Sequence, residues 1–171
     1  IAGLAKEQGV ETVVHLGALL DAVPHSRKVR LTGTSTGTDM SDLMEEFSFR
    51  SSNYQGPTGI SSAVLEACTK QDMGYASLWG HTSHYLQAAP NYRVSYTLTQ
   101  ALAKFLDLPL DLEELRSAAA LFDEEVAKAI AEDEQISSYV SKLETQYDEA
   151  APAAEIPEPS EMVKDLEQFL R

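Results

Sequence analysis

Cysteine is nearly absent from this sequence. Cys68 stands alone in 171 residues, so no internal disulfide can form, which fits a reducing compartment. Positive charge is also scarce: 13 Lys and Arg face 27 Asp and Glu, a net charge of −14. No apolar run approaches the roughly eighteen residues of a membrane span, so no membrane segment is expected. No basic-then-apolar leader stands at the front either. The first residue is Ile1, with a helical pattern already under way at Ala2 to Lys6. The chain therefore reads as the later part of a longer polypeptide.

What is present is globular. Hydrophobic residues make up 43%, enough for one domain with a real core. The charge is lopsided. Residues 1–106 hold nine acidic and eight basic side chains, and residues 107–171 hold eighteen and five. The acidic part repels phosphate backbones, so no nucleic-acid partner is expected. Its simplest reading is a solvated helical surface.

Residues 12–20 are β-branched and then almost wholly apolar, which predicts a central strand buried on both faces. Residues 21–27 read as a turn and 29–36 as a partly exposed second strand, followed by a short helix from Met40 to Phe47. Gly56-Pro57-Thr58-Gly59 opens a helix carrying Ile60, Ala63, Val64, Ala67 and Cys68 at helical spacing. Tyr75 to Trp79 reads as a buried strand leading into a polar loop with His81 and His84. A helix with an apolar face follows to about Leu106. Two striped helices then break register at residues 131–135, and a three-proline stretch at 150–159 leads to a final amphipathic helix from Ser160. Three parts are expected: residues 1–109 as the later portion of an α/β domain, 110–149 as an acidic helical arm, and 150–171 as linker and last helix.

Several motifs approach known chemistry without reaching it. Gly59-Ile60-Ser61-Ser62-Ala63 is near a nucleophile elbow, but the strand that motif needs does not precede it, so Ser61 reads as an ordinary capping or packing serine. Residues 32–38 are rich in Thr and Ser, yet lack the lysine and glycine spacing of a phosphate loop. His81 and His84 have no acidic or cysteine ligand close in sequence, so no metal site is expected. Cys68 reads as inert core. No catalytic set converges and no cofactor is implied. The possible pocket lies at the strand ends, walled by His15, Thr34, Ser35, Gly56, Thr58, Gly59, His81, His84 and Tyr85. Phosphate- or nucleoside-type ligands are the first expectation for it.

Taken together, these stretches resemble a known family. His15-Leu16-Gly17-Ala18-Leu19, Pro24-His25-Ser26-Arg27, Thr32-Gly33-Thr34, Tyr54 to Ile60 and Ser77-Leu78-Trp79-Gly80-His81 with His84-Tyr85 are similar to the proteasome assembly chaperone 2 family, in its bacterial, actinobacterial-type branch. The resemblance implies a three-layer α/β/α sandwich of the phosphorylase/hydrolase-like kind with a helical C-terminal extension. It implies a cytoplasmic location, frequent homo-oligomers and, by family analogy, proteasome-related partners. A non-enzymatic interaction protein is the first reading. A small-ligand protein or hydrolase/phosphorylase-like enzyme with its pocket at the strand ends is the alternative. Some proteasome-binding relatives end in a hydrophobic residue, Tyr and any residue. Here Phe169-Leu170-Arg171 departs from that pattern, so docking by the C-terminus is not expected.

Overall fold

A four-stranded sheet in the order β1-β4-β2-β3 carries the molecule. The strands are β1 (Thr12–Asp21), β2 (Leu31–Ser35), β3 (Phe49–Ser51) and β4 (Gly74–Ser83). The helices are α1 (Ala2–Glu7), α2 (Ile60–Lys70), α3 (Tyr92–Phe105), α4 (Glu113–Ala131) and α5 (Glu134–Ala150). This computed structural model describes residues 2–37, 44–51, 59–86 and 90–150. Gly56 and Thr58, the first half of the helix expected at Met40 to Phe47, nearly all of the proline stretch and the final helix lie outside the described residues.

β1 runs parallel to β4 and β2 antiparallel to it. Alternation then sorts the side chains of β4. Leu78 points to one face and joins Leu31, Val94 and Leu98 in a core under α3. Burying each of these side chains contributes about 2 kcal/mol. Gly80 lies on that face because a Cβ there would come 2.4 Å from Val94 Cγ1, so the glycine lets α3 sit close on the sheet. Tyr75 points to the other face and packs with Cys68 and Met73, flanked by Ala2, Ala5, Val64 and Leu65 of α1 and α2. Helix, sheet and helix make three layers. Cys68 is fully buried, as its place on the apolar stripe predicts.

Local signals place the helix starts. The Asn91 side chain accepts from the Val94 amide at 3.1 Å and donates to Thr82 Oγ1 at 2.8 Å, tying α3 to the end of β4. Such a cap is worth about 1 kcal/mol. The register break between the last two described helices is made by Asp133, whose carboxylate accepts from the amides of Gln135 and Ile136.

Three expectations need correction. β1 is an edge strand among the described residues, not a central one. It pairs only with β4, and Leu16, Leu19 and Leu20 remain 42%, 37% and 61% exposed. An apolar run reports a need for burial, not the neighbour that meets it. The strand containing Trp79 continues to Ser83, so His81 is a strand residue and only His84 lies beyond it. Ile60 begins α2 but is 74% exposed, off its apolar face.

Candidate functional site

The segment between β1 and β2 is where the body meets the helical arm. It is the most basic part of the chain, with Arg27, Lys28 and Arg30 close together. Arg27 holds the Asp148 carboxylate with both prongs of its guanidinium, Nε to Oδ1 at 2.9 Å and Nη2 to Oδ2 at 2.7 Å. Ser26 donates to Glu144, which also lies 3.5 Å from Arg27. The Arg30 guanidinium sits 4.8 Å over the Tyr147 ring, within cation–π range. These partners fall on one stripe of α5: Tyr139, Leu143 and Tyr147 form one row, and Val140, Glu144 and Asp148 the next. Val140 and Leu143 are buried. Apolar packing and charge pairing thus dock the same face.

Arg93 of α3 fastens the segment from the other side. It donates to the carbonyls of His25 at 2.7 Å and Arg27 at 2.9 Å, and to Asp123 of α4 at 3.2 Å. Tyr85 completes the hub. Its hydroxyl oxygen accepts from the His25 amide at 2.8 Å and lies 2.8 Å from His25 Nδ1. The hydroxyl donates to the ring or accepts from it according to the His25 tautomer.

Burial pushes the His25 imidazole below its ordinary pKa of 6.5; Arg93 acts in the same sense and Glu144 and Asp123 oppose it. A base depressed in the fold binds fewer protons there than when unfolded. The stability His25 contributes is complete above about pH 6.5 and is lost as pH falls through the folded-state value. Melting curves between pH 7 and 5 should show wild type losing more stability than His25→Asn, which keeps an acceptor for Tyr85 but does not titrate. Parallel curves would contradict the assignment.

Arg27 and Asp148 are exposed, so salt should weaken their pairing. Arg27→Ala is expected to speed amide exchange in α5 at low salt and to leave little difference from wild type near 1 M NaCl. An unchanged α5 at low salt would show that apolar contacts alone hold the arm.

At the end of β1, Asp21 gathers a second set of groups. His81 Nδ1 donates to Asp21 Oδ2 at 2.7 Å, and Thr32 Oγ1 lies 2.9 Å from His81 Nε2. Arg30 donates to the same carboxylate at 3.2 Å. Burial raises the Asp21 carboxyl, but hydrogen bonds from His81 and the Ala22 amide, with Arg30 nearby, outweigh it and hold the group below its usual range. His84 Nδ1 donates to the Asp21 carbonyl at 3.1 Å, and its Nε2 meets the Tyr139 hydroxyl at 3.0 Å.

Farther along the sheet, on the face of Tyr75, lies a row of polar groups. His15 sits 3.4 Å from the Tyr75 hydroxyl, with its ring tilted against Trp79. Ser77 and Thr34 are 3.1 Å apart. Burial raises the Tyr75 phenol, while hydrogen bonds with Ser77 and with Ser61 of the first turn of α2 pull the other way.

The expected pocket residues therefore divide. His15, Thr34 and His81 share one sheet face, with Gly59 just before α2. Ser35 points elsewhere and bonds the Gly37 carbonyl. His84 and Tyr85 belong to the arm-docking hub. His81 and His84 do not converge on a common point, and among the described residues no group of three ligand-type side chains could hold a metal. The cavity lined by Pro24, His25, Arg30, His81 and Arg93 is only about 20 Å³, water-sized rather than ligand-sized. The hub itself, with Ser26, Arg27, Arg93, Tyr139, Glu144 and Asp148, escaped the sequence reading. Its signal was a basic segment in one half of the chain and an acidic arm in the other.

The architecture defines the class: a three-layer α/β/α domain bearing a helical arm pinned across its strand ends. Residues 1–130 match the PAC2 family, and the chain belongs to that family. A PAC2 family protein from Streptomyces avermitilis is 34% identical, with TM-score 0.66 over 81% of this chain and 57% of its own. A proteasome-assembly chaperone homologue from Mycobacterium tuberculosis is 30% identical, with TM-score 0.67 and the same coverage, 81% and 57%. A Mycobacterium tuberculosis protein of unknown function is 26% identical, with TM-score 0.79 over 90% of this chain and 51% of its own. The chain thus spans little more than half the length of these relatives. No curated protein matches it.

Proposed function

We propose that the protein acts by binding other protein subunits, as an assembly-chaperone-like, non-enzymatic member of its family. It would work in the cytoplasm as a homo-oligomer, with proteasome-related subunits as partners. The observation that carries this reading is its 30% identity to a proteasome-assembly chaperone homologue. The geometry supports it. The cations of the hub are spent on the arm, and the arm turns an acidic outer face, including Glu124, Glu125 and Glu134, to solvent. Such a face suits a basic partner surface. Sedimentation of the natural-length protein, alone and with purified proteasome α-subunits of its own source, tests this. The expected result is an oligomer alone and a larger complex with the subunits. A monomer that sediments apart from them would overturn the reading.

A second reading, a small-ligand protein or a hydrolase/phosphorylase-like enzyme, is favoured by one observation. His15, Tyr75, Ser77 and Thr34 line one sheet face beside the first turn of α2. Thermal-shift measurements with phosphate, nucleosides and nucleotides test it. Stabilisation by one compound, lost in His15→Ala, supports it, and a flat response retires it.

A further inference from the structure

The outer side of β1 is built to be covered. Two backbone hydrogen bonds fix which residues face β4: the Gly74 amide donates to the Glu11 carbonyl at 2.8 Å, and the His84 amide to the Asp21 carbonyl at 3.1 Å. In a parallel ladder every second residue turns both its N–H and its C=O to the same neighbour. The odd-numbered residues of β1 therefore face β4. Thr12, Val14, Leu16, Ala18 and Leu20 turn their backbone groups outward, where no described residue pairs with them.

Free edges of this length are normally blunted by lysine, proline, a bulge or an inward charge. β1 has no lysine or proline, and its only charged residue is Asp21 at the last position. Val13 and Val14 near its start pack against the two cores, but both faces of its later half are exposed. The register sets Leu16 beside Leu78 and Leu20 beside Thr82 on the α3 side, and Leu19 beside His81 on the other. All three leucines remain exposed.

We propose that the β1 edge is closed by a strand of the same polypeptide lying outside these 171 residues, with apolar side chains or a helix covering both faces. Three observations select this occupant. The unpaired row calls for a strand. The leucines on opposite faces call for cover above and below, which a lone bound peptide does not bring. A second copy joined edge to edge brings the same bare leucines and no cover. The relatives also have the necessary chain, since 43% to 49% of each lies outside the match.

Residue-resolved amide exchange on the natural-length protein tests this, together with its intact mass. Exchange at Val14, Leu16, Ala18 and Leu20 should be at least about a hundredfold slower than in free peptides, as for structured strands. It should match Val13, His15, Gly17 and Leu19, and should not change on dilution. Fast exchange at the even-numbered positions would overturn the proposal. Protection that fades on dilution would assign the edge to a second copy instead. Loss of protection on deleting residues 151–171, or an intact mass equal to that of these 171 residues, would likewise overturn it. None of these readouts depends on the partner proposed above.

Discussion

Gly33→Ala is expected to destabilise the protein by about 3 kcal/mol, the upper range for overpacking a well-filled core. A Cβ on Gly33 would stand 2.3 Å from the Ser77 carbonyl oxygen and 2.7 Å from Met44 Cε. The methionine can yield. The carbonyl cannot, because it belongs to β4, which is held between β1 and β2. Relief would need the two central strands to separate, at the cost of their ladder and of the core around Leu31 and Leu78. The same change at Gly3, within α1, meets nothing within 4 Å. There alanine should stabilise by roughly 0.5–1 kcal/mol through its better helix propensity. Opposite shifts of melting temperature from one substitution are the check. A neutral Gly33→Ala would mean that β2 does not lie against β4 in this register.

Arg93→Ala should cost about 2–3 kcal/mol, since it removes charged hydrogen bonds and leaves half-buried acceptors only partly met by water. Three acceptors depend on this guanidinium: the carbonyls of His25 and Arg27, and the Asp123 carboxylate. Its side chain is 28% exposed, so water replaces the lost donors only in part. None of its hydrogen bonds reaches α5, yet amide exchange in α5 should rise. The segment it anchors carries Ser26 and Arg27, which grip Glu144 and Asp148. Arg93→Lys keeps the charge but not the fork, and should recover only part of the loss. Chemical denaturation gives the energy, and exchange in α5 gives the coupling. Lost stability with an undisturbed α5 would separate the two halves of the hub.

The layers of this fold were legible where spacing carries them. The stripe Val94, Leu98 and Ala101 marks the buried face of α3, and Asn91 stands where a cap belongs. What pairs with what was not legible. The run of residues 12–20 signals burial, but strand order depends on contacts distant in sequence, and the described neighbour of β1 is β4, some sixty residues on. The end of β4 was misread for a related reason. His-Thr-Ser looks like loop chemistry until Asp21 and Thr32 are placed beside His81 to satisfy both ring nitrogens. Of the expected pocket, the row His15, Thr34 and His81 emerges on one sheet face, whereas His84 and Tyr85 are drawn to α5. The hub was hidden because its two charged halves stand about 120 residues apart. Each looked like ordinary solvated surface until brought together.

The central claim is that the arm, fixed to the body by charge pairing, forms the surface that engages partner subunits. The affinity of the natural-length protein for proteasome α-subunits tests it most directly, compared among wild type, Arg27→Glu, and Arg27→Glu combined with Asp148→Arg. Like charges facing each other in the single variant should release the arm and weaken the complex, and the reversed pair should restore it. A complex indifferent to the single reversal, or no complex with wild type, would contradict the account.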